Sequence, residues 1–227
     1  MIAEAVAFLR EELSRYLLAN LKSDTLLKQG DNIILGNVAA LESDTEGNLK
    51  NKVLISLVNI EEESTLKNNK NYLRNPLNNS LEYLQPPVYL NLYLLFSATL
   101  PETSDIGNDY ETALRRLATV IEFFQAKKSF SIKDSPQSKF ATTAENEAEN
   151  ASEQTNEMIQ EELRLLPELY TLTFEQINHL WGSLGGKQVP FAMYKVRLVK
   201  IQSRYTLDAP LIEEIHNNPD ELVAPKI

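Results

Sequence analysis

The chain has 227 residues, 43% hydrophobic and 24% charged, with 22 Lys or Arg against 32 Asp or Glu and no Cys. That length suits one domain, or two small ones, with a sizeable core, and the missing Cys excludes disulfides, thiolate zinc sites and a cysteine nucleophile. A formal net charge of −10 argues against a nucleic-acid surface, which needs concentrated Lys and Arg.

Residues 1–21 carry Glu4, Arg10, Glu11 and Glu12 inside an apolar pattern, unlike the basic start and uninterrupted apolar run of a secretory signal. Ile2, Val6, Leu9, Leu13, Tyr16 and Leu17 recur at three-and-four spacing, which predicts an amphipathic helix over 2–19. Gly30-Asp31-Asn32 is turn chemistry leading into a strand over 33–41, and 44–51, which includes Gly47, reads as a hairpin-like loop. Residues 53–60 are apolar at nearly every position, the pattern of a strand covered on both faces. The Asn- and Lys-rich stretch 64–85 reads as a long exposed excursion. Pro86-Pro87 then opens a central strand over 88–96, with Val88, Leu90, Leu92, Leu94 and Phe96 on one face and Tyr89, Asn91 and Tyr93 on the other. The apolar segment 88–100 is broken by Asn91 and Ser97 and falls short of the ~18 residues of a membrane span. The chain is therefore expected to be made and kept soluble in a cytoplasm, with no membrane partner.

Asn108 is placed to cap a long helix, with Glu111 completing a capping box, and Tyr110, Ala113, Leu114, Leu117, Ile121 and Phe124 form the expected buried stripe. Residues 133–160 lose all periodicity and fill with Ala, Glu, Asn, Thr and Ser, too little apolar surface to fold. A strand follows over 163–172, with Pro167 marking an edge or bulge. Thr173 and Gln176 form a second capping box, opening a short helix over 174–183 that Gly185 or Gly186 ends. Over 189–204 the pattern is again a strand, with Ala192, Tyr194, Val196 and Leu198 on one parity and Phe191, Met193, Lys195 and Arg197 on the other.

These elements predict an α+β fold: a mixed, mostly antiparallel sheet of four to five strands with the N-terminal helix and a second long helix packed on it. One domain is expected from 1–132 plus 161–206, with 133–160 an acidic inserted linker and 207–227 a C-terminal arm. The charge divides the same way. Residues 141–162 hold seven acids and no Lys or Arg, 207–227 hold five acids and Lys226, and the rest is nearly neutral.

No catalytic, cofactor or metal residues are expected. Gly182-Ser183-Leu184-Gly185-Gly186-Lys187 lacks the spacing and the following Ser or Thr of a phosphate loop and reads as a helix C-cap. His179 has no second ligand beside it and reads as a packed or interface residue. Trp181, the sole tryptophan, is assigned to the core. In Glu61-Glu62-Glu63 only Glu61 and Glu63 share a strand face and could cooperate, and Lys67 is an expected ionic partner for one of these acids. The interaction candidates are Asn59, Glu61, Glu62, Lys67, Lys195 and Arg197. An alternative is a small-ligand binder or enzyme using the Tyr89/Asn91/Tyr93 face.

Five segments carry a family resemblance. They are Leu54-Ile55-Ser56-Leu57-Val58-Asn59-Ile60-Glu61-Glu62-Glu63; Pro86-Pro87-Val88-Tyr89-Leu90-Asn91-Leu92-Tyr93-Leu94-Leu95-Phe96; Tyr110, Ala113-Leu114 and Val120-Ile121-Glu122-Phe123-Phe124-Gln125; Phe174-Glu175-Gln176-Ile177-Asn178-His179-Leu180-Trp181-Gly182-Ser183-Leu184-Gly185; and Tyr194-Lys195-Val196-Arg197-Leu198-Val199. In this order they resemble the cap, or tail-terminator, proteins of extracellular contractile injection systems, which are phage-tail-like particles. The resemblance spans residues 1 to about 204. It implies a tail-terminator-like fold and a structural ring of six copies on the end of the inner tube and sheath, where it stops their polymerisation. The implied partners are itself, the tube protein and the sheath protein, in a particle assembled in the cytoplasm and open to release. An adaptor or assembly factor of the same particle is the milder variant.

Overall fold

The computed structural model describes residues 1–20, 32–41, 43–44, 47–66, 72–74, 81–84, 86–100, 106–135, 163–185, 188–201 and 206–208. In chain order the elements are α1 (Ile2–Asn20), β1 (Ile33–Leu35), β2 (Val53–Glu62), β3 (Tyr72–Arg74), β4 (Leu81–Leu84), β5 (Val88–Ala98), α2 (Ile106–Ala126), β6 (Phe130–Ser131), β7 (Arg164–Leu169), α3 (Phe174–Ser183), β8 (Phe191–Ile201) and β9 (Thr206–Asp208). The chain forms two units, one from Met1–Lys67 with Val88–Ile201, the other from Asn68–Pro87 with Gln202–Ile227.

The larger unit is built on a six-stranded sheet in the order β1-β2-β5-β8-β7-β6. All neighbours run antiparallel except β1 and β2, which are parallel. The expected α+β class holds, with β6 added to the five strands legible in the sequence. Strand β5 lies near the middle, and its alternation sends Leu92, Leu94 and Phe96 to one core and Leu95 to another. The first core packs Phe8, Leu9, Leu13 and Leu17 of α1, with Val120, Phe123 and Phe124 of α2, on one face of the sheet. The second packs Trp181 of α3 against Leu54, Leu95 and Met193 on the other. Trp181 is therefore core, as expected.

Helix α3 forms where its local signals place it. Thr173 accepts from the Gln176 backbone N–H at 3.3 Å and Gln176 accepts from the Thr173 N–H at 2.9 Å, and Gly185 follows the helix at φ 96°, a backbone conformation that favours glycine. Pro167 sits where β7 has run past the two-residue β6, so its missing N–H removes no ladder bond on the open side.

Several expectations are corrected. The strand expected over 33–41 stops at Leu35, and Val38–Leu41 is a 3₁₀ turn. Here Asn37 Oδ1 accepts from the Ala39 N–H at 3.0 Å and the chain bends away, and a Cβ on Gly36 would lie 3.0 Å from Leu54 Cδ1 and crowd that side chain. The loop over 44–51 is not a hairpin, because it links parallel strands.

Helix α2 begins at Ile106, before the expected cap at Asn108, and Glu111 pairs with Arg115 one turn on. Its buried side is Ala113, Arg116, Thr119, Val120, Phe123 and Phe124, while Tyr110, Leu114 and Ile121 are exposed. The inward set is rotated from the predicted stripe because a buried Arg carries no apolar signature. Strand β2 is covered on both faces only through Ser56. Beyond it Leu57 and Ile60 are 43% and 44% exposed.

The stretch 64–85 contains β3 and β4, which with β9 make a three-stranded antiparallel sheet in the order β3-β4-β9, pairing Leu73 with Glu82 and Tyr83 with Leu207. Strand β9 straddles the expected start of the arm at 207. The rest of the arm and most of the acidic linker lie outside the described residues. Among the described residues no helix is long and apolar enough to cross a membrane.

Candidate functional site

Four of the six expected interaction residues, Asn59, Glu61, Lys195 and Arg197, lie where β2, β5 and β8 run side by side. Two bulges make this possible. The β2–β5 register shifts by one between Leu57 and Asn59, so Val58 is the extra residue and Asn59 faces Tyr93. The β5–β8 register shifts between Leu90 and Leu92, with the extra residue between Val196 and Val199. Bulges re-aim side chains at sheet surfaces. Here they align Glu61, Tyr93 and Lys195 across three strands.

Tyr93 Oη donates to Glu61 Oε2 at 2.6 Å, and Lys195 Nζ donates to the same oxygen at 3.1 Å. Lys195 also lies 5.4 Å from the Tyr93 ring centroid, and Tyr170 meets that ring edge-on at 5.1 Å. A second cluster continues along the same face. Glu63 accepts from Asn91 Nδ2 at 3.0 Å, Thr65 Oγ1 at 2.8 Å and Arg197 at 3.3 Å, and Arg197 reaches Glu168 at 3.3 Å. Glu61 and Glu63 therefore share a face, as the strand alternation predicts.

The electrostatics follow from these donors. The Asn91 hydrogen bond, then that of Thr65, pulls the Glu63 carboxyl down to about 2. The Tyr93 hydroxyl, then Lys195, lowers Glu61, and the bond to Glu61 raises both Tyr93 and Lys195. Both carboxyls shift the same way, whereas paired acid–base catalysis needs them pushed apart. Neither is a proton donor near neutral pH. The arrangement is an ionic lattice linking four neighbouring strands, β2, β5, β8 and β7.

One prediction tests that lattice. A carboxyl held below its ordinary 4.5 contributes stability that is complete above that value and lost as pH falls toward about 2. The gap in urea midpoint between the wild type and Glu63→Gln should be full at neutral pH and close across that acid window. A gap that ignores pH would mean Glu63 acts through packing alone.

Asn59 is exposed and borders an open cleft of about 580 Å³ whose walls include Tyr93, Tyr170, Leu172, Leu180 and Met193. Glu62 is exposed on the opposite face of β2, and Lys67 lies outside the described residues; Lys195 and Arg197 are the cations that meet Glu61 and Glu63. Asn91, expected on a ligand-facing surface, is buried and donates to Glu63. His179 is exposed, 4.0 Å from Glu175, rather than packed. Among the described residues no three His, Asp or Glu side chains are grouped to hold a metal. Thr65, Glu168 and Tyr170 were not legible as members of the site, since each joins through a tertiary contact.

The sequence matches the family model described as the Pvc16 N-terminal domain over residues 4–214. No curated protein sequence matches it significantly. Among solved structures, it is similar to the sheath/tube terminator of the extracellular contractile injection system PVC in its extended state, at 12% identity and a TM-score of 0.46, over 97% of this chain and 65% of that one. It is also similar to the tube-terminating cap of the anti-feeding prophage, at 12% identity and a TM-score of 0.39, over 76% of this chain and 50% of that one. The chain thus spans less than two thirds of either.

Proposed function

Because the chain belongs to the Pvc16 N-terminal domain family, we propose that it works as the cap of a contractile injection system, a structural and non-catalytic role. The observation that carries this reading is the span of the family match, residues 4–214, which includes every strand and all but the first two residues of α1. The five sequence segments that resemble cap proteins fall within it. In this reading six copies close into a ring on the tube and sheath ends distal to the baseplate. The particle assembles in the cytoplasm and acts outside the cell.

The physical features fit that task. A ring needs heterologous contacts that close around an axis, and a cap must fit the last tube layer on one side while refusing another on the other. A body that is nearly neutral outside two acidic segments limits like-charge repulsion between adjoining copies. Exposed apolar side chains, Tyr110, Leu114 and Ile121 on α2 and Phe174 on α3, are available for burial between subunits.

The test is deletion of the protein from cells that make the particle. Electron micrographs should then show tubes and sheaths of widely scattered length with open distal ends, restored by the full chain supplied from a plasmid. Uniform, closed particles after deletion would overturn the cap reading. Terminal rings lacking the protein in wild-type particles would assign it instead to assembly.

A further inference from the structure

We propose that β9 is a releasable strap: it closes on β4 of its own chain, opens ahead of the β3–β4 hairpin, and is held loosely by two acids placed opposite each other in its register. The inference concerns the smaller unit alone; it goes beyond the cap reading and does not depend on it. Three pairs join β4 to β9, Leu84 with Thr206, Tyr83 with Leu207 and Glu82 with Asp208. Three join β4 to β3, Leu81 with Arg74, Glu82 with Leu73 and Tyr83 with Tyr72. Among the described residues β9 has no other strand partner.

The two sides of β4 differ position by position. Aromatic and β-branched residues directly opposite each other stabilise an antiparallel ladder, and like charges directly opposite destabilise it. Toward β3, Tyr83 stands opposite Tyr72 and no position sets like charges against each other. Toward β9, the favourable position of Tyr83 and Leu207 is followed at once by Glu82 opposite Asp208. One of the three pairs thus works against the other two, and detachment of β9 is what relieves it.

A short return path makes this a strap rather than a frayed end. Val88 pairs with Ile201, so only residues 85–87 separate that pair from Leu84, and only residues 202–205 separate it from Thr206. Loops this short close quickly and present β9 to the same β4 at high effective concentration. Opening also acts on the far side of β4. It leaves a hairpin of one three-residue and one four-residue strand, and an isolated two-stranded hairpin is marginal in water. The chain beyond Asp208 is tied to β4 through β9, so the same equilibrium decides whether that tie holds.

Amide hydrogen exchange on the full chain, followed by NMR, tests this with Glu82→Lys, Asp208→Lys and the double variant. At low salt each single variant should slow exchange at residues 206–208 by about threefold, because an opposite-charge pair replaces the two acids. The double variant restores like charges and should return to within about twofold of the wild type. Asp208→Lys should also slow exchange at residues 72–74 of β3, a strand with which β9 does not pair. Raising NaCl to about 0.5 M should slow residues 206–208 in the wild type and speed them in the single variants, since screening weakens repulsion and attraction alike. The wild-type salt response needs no variant to fold. Single variants that exchange no more slowly, a double variant slower than either single, or a wild type indifferent to salt would each overturn the strap. Protection at 206–208 that rises with protein concentration would give β9 to the β4 of another copy and overturn closure within one chain. The micrographs of deleted strains decide the cap reading separately.

Discussion

Replacing Phe96 with alanine is expected to cost the larger unit about 3–5 kcal/mol of stability. Phe96 is fully buried on β5, paired in register with Ile55 of β2 and Ala192 of β8. Its ring meets Phe124 of α2 edge-on at 5.2 Å and Tyr194 of β8 at 5.6 Å. Truncation removes transfer energy, leaves a cavity between sheet and helix, and breaks two aromatic contacts, each worth about 0.5–1.5 kcal/mol beyond its area. Strands on both sides of β5 hold their neighbours in register, so the void has little room to collapse. Urea unfolding would show the loss as a lower midpoint with an unchanged slope. Phe174→Ala is the control: that ring is 88% exposed at the start of α3, and its removal should stay within about 0.5 kcal/mol. Equal losses would mean that burial in the core beneath β5 is not what makes Phe96 costly to remove.

The contrast between these two phenylalanines marks what the sequence makes legible. Phe96 closes an alternation of five apolar positions, Val88, Leu90, Leu92, Leu94 and Phe96, whose shared parity announces one buried face. Helix α3 is legible to the residue because every signal is local: Thr173, Gln176 and Gly185 act within a turn of the ends they form. Helix α2 is legible as a helix but not in its orientation. Tyr110, Leu114 and Ile121 complete an apolar stripe as convincingly as Val120 and Phe123 do, and only tertiary packing around Arg116 turns them outward. Strands β3, β4 and β9, three or four residues each, are too short for period-two patterning to rise above loop composition. The candidate site was legible as a set of residue types, not as contacts. Glu61 meets Tyr93 across 32 residues and Lys195 across 134, and two single-residue bulges decide which side chains face each other. No local pattern encodes a bulge whose effect is to shift the register against a distant strand. Likewise the exposure of Leu57 and Ile60 follows from β1 leaving the sheet at Gly36, not from anything in β2 itself.

Replacing Arg116 with methionine, which keeps much of the side-chain volume, is expected to cost about 2–4 kcal/mol. Arg116 is 1% exposed on the inner face of α2, and its Nη1 donates to the Asn51 carbonyl at 2.6 Å and to Asn51 Oδ1 at 2.8 Å. Asn51 stands at φ 56°, the left-handed region that costs most residues energy but that Asn tolerates. Around it Thr99 Oγ1 donates to the Leu49 carbonyl at 2.6 Å and accepts from the Lys52 N–H at 3.0 Å, while the Asn51 N–H donates to the Leu100 carbonyl at 3.3 Å. The guanidinium therefore closes a turn that launches β2 into the sheet. An apolar side chain in its place would pack, but it would leave two acceptors without their charged donor. Well-packed replacement of a whole buried polar set can be neutral, whereas removal of one partner is not. Asn51→Gly separates the terms, because it keeps the carbonyl acceptor, relieves the φ and loses only Oδ1, and it should cost about 1 kcal/mol or less. If Arg116 acts through Asn51, the double variant will be less destabilised than the sum of the two singles, an interaction energy of about 0.5–3 kcal/mol in urea unfolding. Strict additivity would place the stabilising contacts of Arg116 elsewhere in the core and remove this turn as the anchor of β2, the strand that carries Glu61 into the ionic lattice.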